Sequence, residues 1–188
     1  MAHKVCPWWL GYFLVSPVRR LVEHPTRMLR PLVREGMLVL EPGSGMGFFT
    51  LDVARMVGPR GRVVAVDLQA RMLEGLRRRA ERAGLADRIE TRLAQADRLG
   101  VEDLSGRVNL ALAIHVVHEV PDQATFFAEL RAALKPSGQL LLMEPRGHVS
   151  AEAFAATLSI AGSCGLRPIE APKFGSSRTA LLEAAPTS

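Results

Sequence analysis

From about residue 36 onward, short apolar runs alternate with segments whose apolar residues recur at helical spacing. The short runs predict buried strands, and the segments between them predict amphipathic helices. The predicted strands cover residues 37–41, 61–67, 88–97, 108–115, 138–145, 166–172 and 177–184, and the range 88–97 includes the loop that follows the third strand. The predicted helices cover residues 48–58, 69–85, 121–138 and 150–165.

Strands that are apolar along their whole length and alternate with helices are typical of a parallel sheet covered on both faces. The pattern therefore predicts an α/β, doubly wound, Rossmann-like fold. Its sheet should have seven mostly parallel strands, helices on both faces and a C-terminal antiparallel hairpin strand. Residues 1–35 are predicted to form an N-terminal extension, and residues 36–188 the domain itself.

Turn residues set the expected helix ends. Gly84 should close the second helix, and Ser150 should cap the last one. Pro121 should begin the third helix, which is expected to end before Pro136 and Gly138.

The net charge of +5 comes from 24 Lys and Arg against 19 Asp and Glu. A basic balance can indicate nucleic-acid binding. However, the arginine-rich stretch 71–82 contains Glu74 and Glu81 at helical spacing, which favours a solvated helix face. The charge therefore raises nucleic acid only to an alternative partner, and a solvated helix face is the favoured interpretation.

Nothing in the chain indicates a membrane span, since no apolar run reaches about 18 residues. The apolar opening stretch is followed by Pro17, Arg19 and Arg20, which does not resemble a signal-peptide cleavage site. Cys6 and Cys164 are too far apart to suggest a zinc site or a disulfide framework. These features predict a cytoplasmic protein with reduced thiols.

The stretch LVLEPGSGMGFF, residues 38–49, follows the predicted pattern of a strand, a sharp turn and a helix. Gly43, Gly45 and Gly47 occupy the turn, where the backbone can approach a ligand closely. Asp67 ends the next strand, 20 residues after Gly47, where an acid can accept hydrogen bonds from ribose hydroxyls. A purely structural interpretation also exists, in which the glycines form a plain turn and Asp67 caps the following helix.

Two ligand classes fit such a loop, a dinucleotide and S-adenosylmethionine. A dinucleotide-binding loop would have its third glycine at the position of Phe48. The strand also ends in Glu41, whose negative charge suits the ammonium and sulfonium of S-adenosylmethionine better than a pyrophosphate. The charge argument therefore favours S-adenosylmethionine as the cofactor.

The segments LVLEPGSGMG, VVAVD, QAD, NLALAIHVVHEVPD and LKPSGQLLLMEP resemble the successive motifs of class I S-adenosylmethionine-dependent methyltransferases. Within that family the chain is similar to the small quinone-pathway C-methyltransferases. The resemblance implies that Glu41 and the glycine loop hold the methionine end, that Asp67 holds the ribose, and that the adenine meets Asp97. The cofactor-binding residues implied are Glu41, Gly43, Ser44, Gly45, Gly47, Asp67, Leu68, Asp97 and Arg98.

Methyl transfer from a sulfonium is an in-line displacement, in which the protein positions the acceptor and can supply a base. His115 and His118, at the end of the fourth strand, are the catalytic candidates. Glu144, Arg146 and His148, at the end of the fifth, are candidates for acceptor binding.

A metal site at His115, His118 and Glu119 is a minority alternative. Their spacing resembles a metal-binding loop of ubiquinone-pathway O-methyltransferases, but the residue type differs at all three positions. We therefore expect no metal.

The acceptor is predicted to be a small, apolar or aromatic molecule, because no insertion or added module for a larger substrate is visible. The alternative is an RNA methyltransferase, or a non-catalytic partner subunit that binds S-adenosylmethionine or RNA. The N-terminal extension, residues 1–35, is predicted to be a lid over the acceptor. Packing on a helix and peripheral membrane contact are the alternatives for its aromatic segment. Its aromatic residues, which would line the acceptor site, are Trp8, Trp9, Tyr12 and Phe13.

Overall fold

The computed structural model describes residues 24–170 and 177–185. They divide into two compact units, which meet in sequence between Gln95 and Ala96. Within the described ranges, no helix has the length and apolar character needed to cross a bilayer. Of the N-terminal extension predicted to be a lid, residues 1–23 lie outside the described residues.

The first unit contains three strands in the order β3-β2-β1, and both pairings are parallel. Its strands are β1 (Leu38–Pro42), β2 (Arg62–Asp67) and β3 (Ile89–Leu93). Its helices are α1 (Pro25–Leu29), α2 (Thr50–Met56) and α3 (Ala70–Arg82).

The core of this unit follows from the apolar runs. The middle of β1 and all of β2 after Arg62 are buried, as expected of parallel strands covered on both faces. Helix α3 buries Met72, Leu73 and Leu76 on one side, while its arginines keep mainly to the solvent side. The arginine-rich stretch is thus an amphipathic helix, as its charge spacing predicts.

Helix α1 lies within the predicted N-terminal extension and packs into the first unit. Leu29 is fully buried, and the Thr26 hydroxyl donates a 2.9 Å hydrogen bond to Asp52 of α2. The following residues Leu32 and Val33 are also buried. The described end of the extension therefore contributes to the core.

The second unit contains four strands in the order β4-β5-β7-β6. Strands β4 and β5 are parallel, whereas β7 is antiparallel to both β5 and β6. The predicted C-terminal hairpin strands are confirmed. The strands are β4 (Val108–Ile114), β5 (Leu134–Pro145), β6 (Leu166–Ile169) and β7 (Ser177–Ala184), and the helices are α4 (Gln123–Ala133) and α5 (Ala151–Ser163).

Helix α4 is shorter than its periodicity predicted, because it stops at Ala133 and the chain continues directly as β5. Leu134 is already extended, with ψ 138°. A residue before proline is driven out of the helical region, so Pro136 prevents Lys135 from continuing the helix. The prediction that this helix ends before Pro136 is therefore confirmed.

The other predicted helix boundaries hold more closely. Ser150 caps α5, since its hydroxyl accepts a 3.1 Å hydrogen bond from the N–H of Ala153. Gly84 follows α3 with φ 65°, a conformation that suits glycine after a helix end. Asp122, rather than Pro121, caps α4 by accepting a 3.0 Å hydrogen bond from the N–H of Thr125.

Candidate functional site

The glycine loop of the first unit is held against the carboxyl end of β2 by its own backbone. The N–H groups of Gly43 and Ser44 both donate to the carbonyl of Val66, at 2.8 and 3.1 Å. The N–H of Gly45 donates to Oδ2 of Asp67 at 2.8 Å. The loop and the strand-ending acid, which the sequence placed 20 residues apart, are therefore joined directly.

Glycine is favoured at position 47 by the backbone conformation of the loop. Its φ is 80°, and a Cβ added there would lie 2.3 Å from Cδ1 of Leu76 in α3. A side chain at position 47 would thus combine a strained backbone conformation with a shift of the Leu76 side chain.

Asp67 is 9% exposed, and both of its carboxylate oxygens accept backbone hydrogen bonds. Oδ2 accepts from Gly45, and Oδ1 accepts from the N–H of Gln69 at 2.9 Å, which makes Asp67 a cap for the start of α3. Burial raises the pKa of Asp67, while these hydrogen bonds oppose the rise. An ionised carboxylate has about four acceptor positions, so Asp67 retains capacity to accept a ligand hydroxyl.

Glu41 ends β1 beside this loop and is 3% exposed. Its Oε2 is buried and accepts no hydrogen bond from the described residues, and the Ser44 hydroxyl is in the same situation. Burial raises the pKa of Glu41 to about 8; the Thr50 hydroxyl opposes part of the rise, and the charge of Asp67 adds to it. A buried carboxyl group with an unused oxygen is costly for the protein alone and is suited to a cationic ligand.

Two leucines at the ends of β2 and β3 are unusually exposed. Leu68 and Leu93 are 46% and 59% exposed, and they are the large hydrophobic residues exposed in the described part of the chain. Leu93 pairs in register with Asp67, so both leucines lie at the carboxyl edge of the same two strands. An exposed apolar surface beside a buried acid can contact a flat, partly apolar group of a ligand.

In the second unit, the chain leaves β4 through a strained residue. His115 has φ 57°, a left-handed conformation that is uncommon outside glycine. Its N–H donates to the carbonyl of Met143 at 2.8 Å, which ties the exit of β4 to β5. A single 3-10 turn, Val117–Glu119, follows.

Glu144, near the end of β5, organises this turn. It is 2% exposed, and its Oε1 accepts from the N–H of Val117 at 2.8 Å and of His118 at 3.3 Å. Its Oε2 lies 2.5 Å from Nδ1 of His118. The carboxylate thus has partners on both oxygens.

The His118 ring is surrounded by groups that favour its charged form. The hydrogen bond with Glu144 raises the pKa of His118, burial opposes that rise, and the charges of Glu144 and Glu119 add to it. Nε2 of His118 lies 4.0 Å from Oε1 of Glu119, and the ring centroid lies 5.8 Å from that of His148.

The structure thus brings together most of the predicted site residues within each unit. In the first unit, Glu41, the glycine loop, Asp67 and Leu68 form one region. In the second, His118, Glu119, Glu144 and His148 form another, to which His115 contributes through its backbone. Arg146, Asp97 and Arg98 are exposed, and their roles stay predictions. The aromatic candidates of the N-terminal stretch, Trp8, Trp9, Tyr12 and Phe13, lie outside the described residues.

Across the described ranges, no group of three or more His, Cys, Asp or Glu side chains is arranged to hold a metal ion. The minority alternative at His115, His118 and Glu119 therefore receives no support from the side-chain geometry.

Two features were missed by reasoning from the sequence. Glu144 was assigned to acceptor binding, and its contact with His118 was not anticipated. A signal existed, because Glu144 ends a buried strand and precedes proline, as Glu41 does. Leu93 was also missed; its exposure depends on the sheet edge and has no local pattern.

Comparison with known proteins gives matches over most of the chain. Residues 34–171 match the model of a family described as methyltransferase domain. The ubiquinone/menaquinone biosynthesis C-methyltransferase UbiE of Hahella chejuensis is 35% identical over 113 residues, which are 60% of this chain and 44% of that protein. The ubiquinone biosynthesis O-methyltransferase of Methylocella silvestris is 30% identical over 155 residues, which are 81% of this chain and 58% of that protein. The chain therefore spans about half the length of these relatives.

A solved structure has a similar fold. The crystal structure of a SAM dependent methyltransferase from Aquifex aeolicus matches with a TM-score of 0.83 and 22% identity, covering 96% of this chain and 98% of that chain. The predicted fold is confirmed as a Rossmann-like, mostly parallel sheet of seven strands with a C-terminal antiparallel hairpin.

Proposed function

Because the chain belongs to the methyltransferase domain family, we propose that it transfers a methyl group from S-adenosylmethionine to a small, apolar or aromatic acceptor. The observation that carries the proposal is the Glu41 carboxyl group, which is buried beside the glycine loop with one oxygen that accepts no hydrogen bond from the described residues. The family relationship supports the reaction class, and Glu41 supports the cofactor.

The residues of the first unit fit S-adenosylmethionine. Its methionine end carries an ammonium and a sulfonium, and Glu41 would hold this cationic end. A pyrophosphate would instead bring negative charge towards Glu41 and Asp67, both of which already have raised pKa values. The same region therefore disfavours a dinucleotide.

The remaining cofactor contacts follow from the edge of β2 and β3. Asp67 would accept hydrogen bonds from the ribose hydroxyls with its remaining lone pairs. Leu68 and Leu93 would supply apolar contact to the adenine, since both are large and exposed beside Asp67. Asp97 and Arg98 would complete the adenine contacts, as the resemblance implies.

The bound cofactor would supply a methyl group already activated by the sulfonium. The chain would then have three tasks, which are to orient the acceptor, exclude water and accept a proton where the acceptor carries one. His118 and His115 are the proposed catalytic residues. Arg146 and His148, together with the aromatic residues of the N-terminal stretch, are the proposed acceptor-side residues, and Glu144 would act on the acceptor through His118.

The acceptor class is supported by the two curated relatives, whose names place them in ubiquinone or menaquinone biosynthesis. One relative is named as a C-methyltransferase and the other as an O-methyltransferase. We therefore propose a small-molecule acceptor and leave the methylated atom to the experiment.

The first test is isothermal titration calorimetry with S-adenosylmethionine, S-adenosylhomocysteine and NAD. We expect both methionine-derived ligands to bind and NAD not to bind. Glu41→Gln should weaken the first two, whereas Glu81→Gln, an exposed glutamate of α3, is the matched control. Binding of NAD alone would overturn the proposal.

The second test measures release of S-adenosylhomocysteine with demethylated quinone precursors, phenols, thiols, amines and arsenite as acceptors. Turnover with one class identifies the acceptor. Cofactor binding without turnover, combined with salt-sensitive RNA binding, would instead favour the alternative of an RNA-associated protein.

A further inference from the structure

The contact between His118 and Glu144 is a short polar contact with one deeply buried partner. Glu144 is 2% exposed, whereas the side chain of His118 is 24% exposed. One partner is thus enclosed by the protein, and the other reaches solvent. A buried acid behind a partly accessible imidazole is the arrangement in which the acid can control the chemistry of the ring.

The hydrogen bonds around Glu144 give its two carboxylate oxygens different partners. Oε1 accepts two backbone N–H groups, from Val117 and His118, so this oxygen is held in place by the turn itself. Oε2 is then left for Nδ1 of His118, at 2.5 Å. Since an ionised carboxylate only accepts hydrogen bonds, Nδ1 must be the donor.

We infer that Glu144 is a positioning residue, which holds the His118 ring in the tautomer protonated at Nδ1 and so leaves Nε2 as the base for methyl transfer. This inference rests on the proposed function. Glu144 itself does not touch the acceptor.

The step can be written with its atoms balanced. The bond between hydrogen and the acceptor atom breaks, and the proton passes to Nε2 of His118. The acceptor atom forms the new bond to the methyl carbon with the released electron pair, while the electron pair of the broken carbon–sulfur bond stays on sulfur. The imidazolium then loses its proton to water, with its Nδ1–H still bound to Glu144.

The position of the pair in the unit fits this task. His118 follows the end of β4, and Glu144 lies next to the last residue of β5. Ligands of doubly wound sheets bind at the carboxyl ends of the strands. Besides Glu144, the titratable groups that face the ring are Glu119, on the same turn, and His148, in the loop after β5.

The variant Glu144→Gln separates positioning from folding. A glutamine oxygen can still accept the N–H groups of Val117 and His118, so the turn should be retained. Its amide group would donate to Nδ1, which forces the ring proton onto Nε2 and removes the base. We expect kcat to fall about 10²–10³-fold, with little change in the Kd for S-adenosylmethionine or in the Tm.

The decisive measurement is nitrogen-15 NMR of the histidine rings in the full-length protein. The His118 signal can be assigned by its loss in His118→Gln. Neutral His118 should be protonated at Nδ1 in the wild type and at Nε2 in Glu144→Gln, with a lower pKa in the variant. Glu119→Gln is the control, because Glu119 lies 4.0 Å from Nε2 and not at Nδ1; it should lower the His118 pKa without changing the tautomer.

The outcomes are distinguishable from failure of the proposed function. A wild-type ring protonated at Nε2, or an unchanged tautomer in Glu144→Gln, would overturn this inference alone. A switched tautomer with kcat within about threefold of wild type would show that His118 is not the base. A wild-type protein that does not bind S-adenosylmethionine would overturn the proposed function and this inference together.

Discussion

Two strand ends in this chain have nearly the same local sequence and very different surroundings. Residues 38–42 read LVLEP and residues 141–145 read LLMEP. Each glutamate is the next-to-last residue of a largely buried strand, and Glu41 and Glu144 are 3% and 2% exposed. Yet Glu144 has partners on both carboxylate oxygens, whereas Oε2 of Glu41 accepts no hydrogen bond from the described residues.

The difference comes from the loop that faces each acid. Glu144 meets the 3-10 turn after β4, whose backbone N–H groups and imidazole converge on it. Glu41 is followed by a loop of glycines, in which Gly45 instead donates to Asp67. A carboxylate whose oxygens both accept hydrogen bonds from the protein stabilises the local fold. A carboxylate with an oxygen that lacks such a bond is available to a ligand.

Replacing Glu41 by glutamine should give the largest change in this comparison. Burial raises the pKa of Glu41 from its ordinary value of 4.5 to about 8. The stability that this raised pKa contributes is fully present below pH 4.5 and is lost as the pH rises through 8. Unliganded wild-type protein should therefore lose stability over this range. At pH 8.5, Glu41→Gln should be more stable by roughly 2–4 kcal/mol, as measured by urea unfolding.

The same variant should bind S-adenosylmethionine about 100-fold more weakly, because it loses the charge opposite the cationic end. A variant that is more stable but binds the cofactor less well would confirm that Glu41 is kept for a ligand. Unchanged affinity would mean that Glu41 has a structural role instead of a role in ligand binding.

Replacing Glu144 by alanine should have the opposite effect on stability. The variant leaves the buried N–H of Val117 without its acceptor and removes the partner of His118. We expect the free energy of unfolding at pH 7 to fall by about 2–3 kcal/mol. Glu41→Ala, tested beside it, should not show this loss; equal losses in the two variants would contradict the comparison.

Asp67→Ala should weaken S-adenosylmethionine binding by roughly 1.5–3 kcal/mol, the scale of hydrogen bonds to a charged group. Because the charge of Asp67 adds to the raised pKa of Glu41, the variant should also lower that pKa. Calorimetry gives the first quantity, and carbon-13 NMR of the glutamate carboxyl groups gives the second. A change in affinity without any change in the Glu41 pKa would mean that the two acids act independently.

The most gradual expected effect is the pH dependence of cofactor affinity. Binding of a cation requires ionised Glu41, so affinity should rise with pH towards 8 and then level off. The slope should be at most about tenfold per pH unit, since one proton is released. Titrations between pH 6 and 9 measure it, and Glu41→Gln should show a shallower dependence.

Much of this organisation was readable in the sequence because it depends on local patterns. Strand and helix order follows from apolar spacing, and the placing of Glu41 and Asp67 follows from acids that end buried strands. The end of α4 also has a local cause, since Pro136 disfavours a helical conformation at the residue before it.

The partners of these residues were decided only by the tertiary structure. Glu144 and His118 are 26 positions apart, and both Glu41 and Glu144 precede a proline near the end of an apolar strand. Which acid is satisfied depends on the loop that the sheet brings opposite it, and the exposure of Leu93 depends on the edge at which β3 ends. Local sequence can place a carboxyl group at the end of a strand, but its pKa and its use depend on atoms contributed by distant residues.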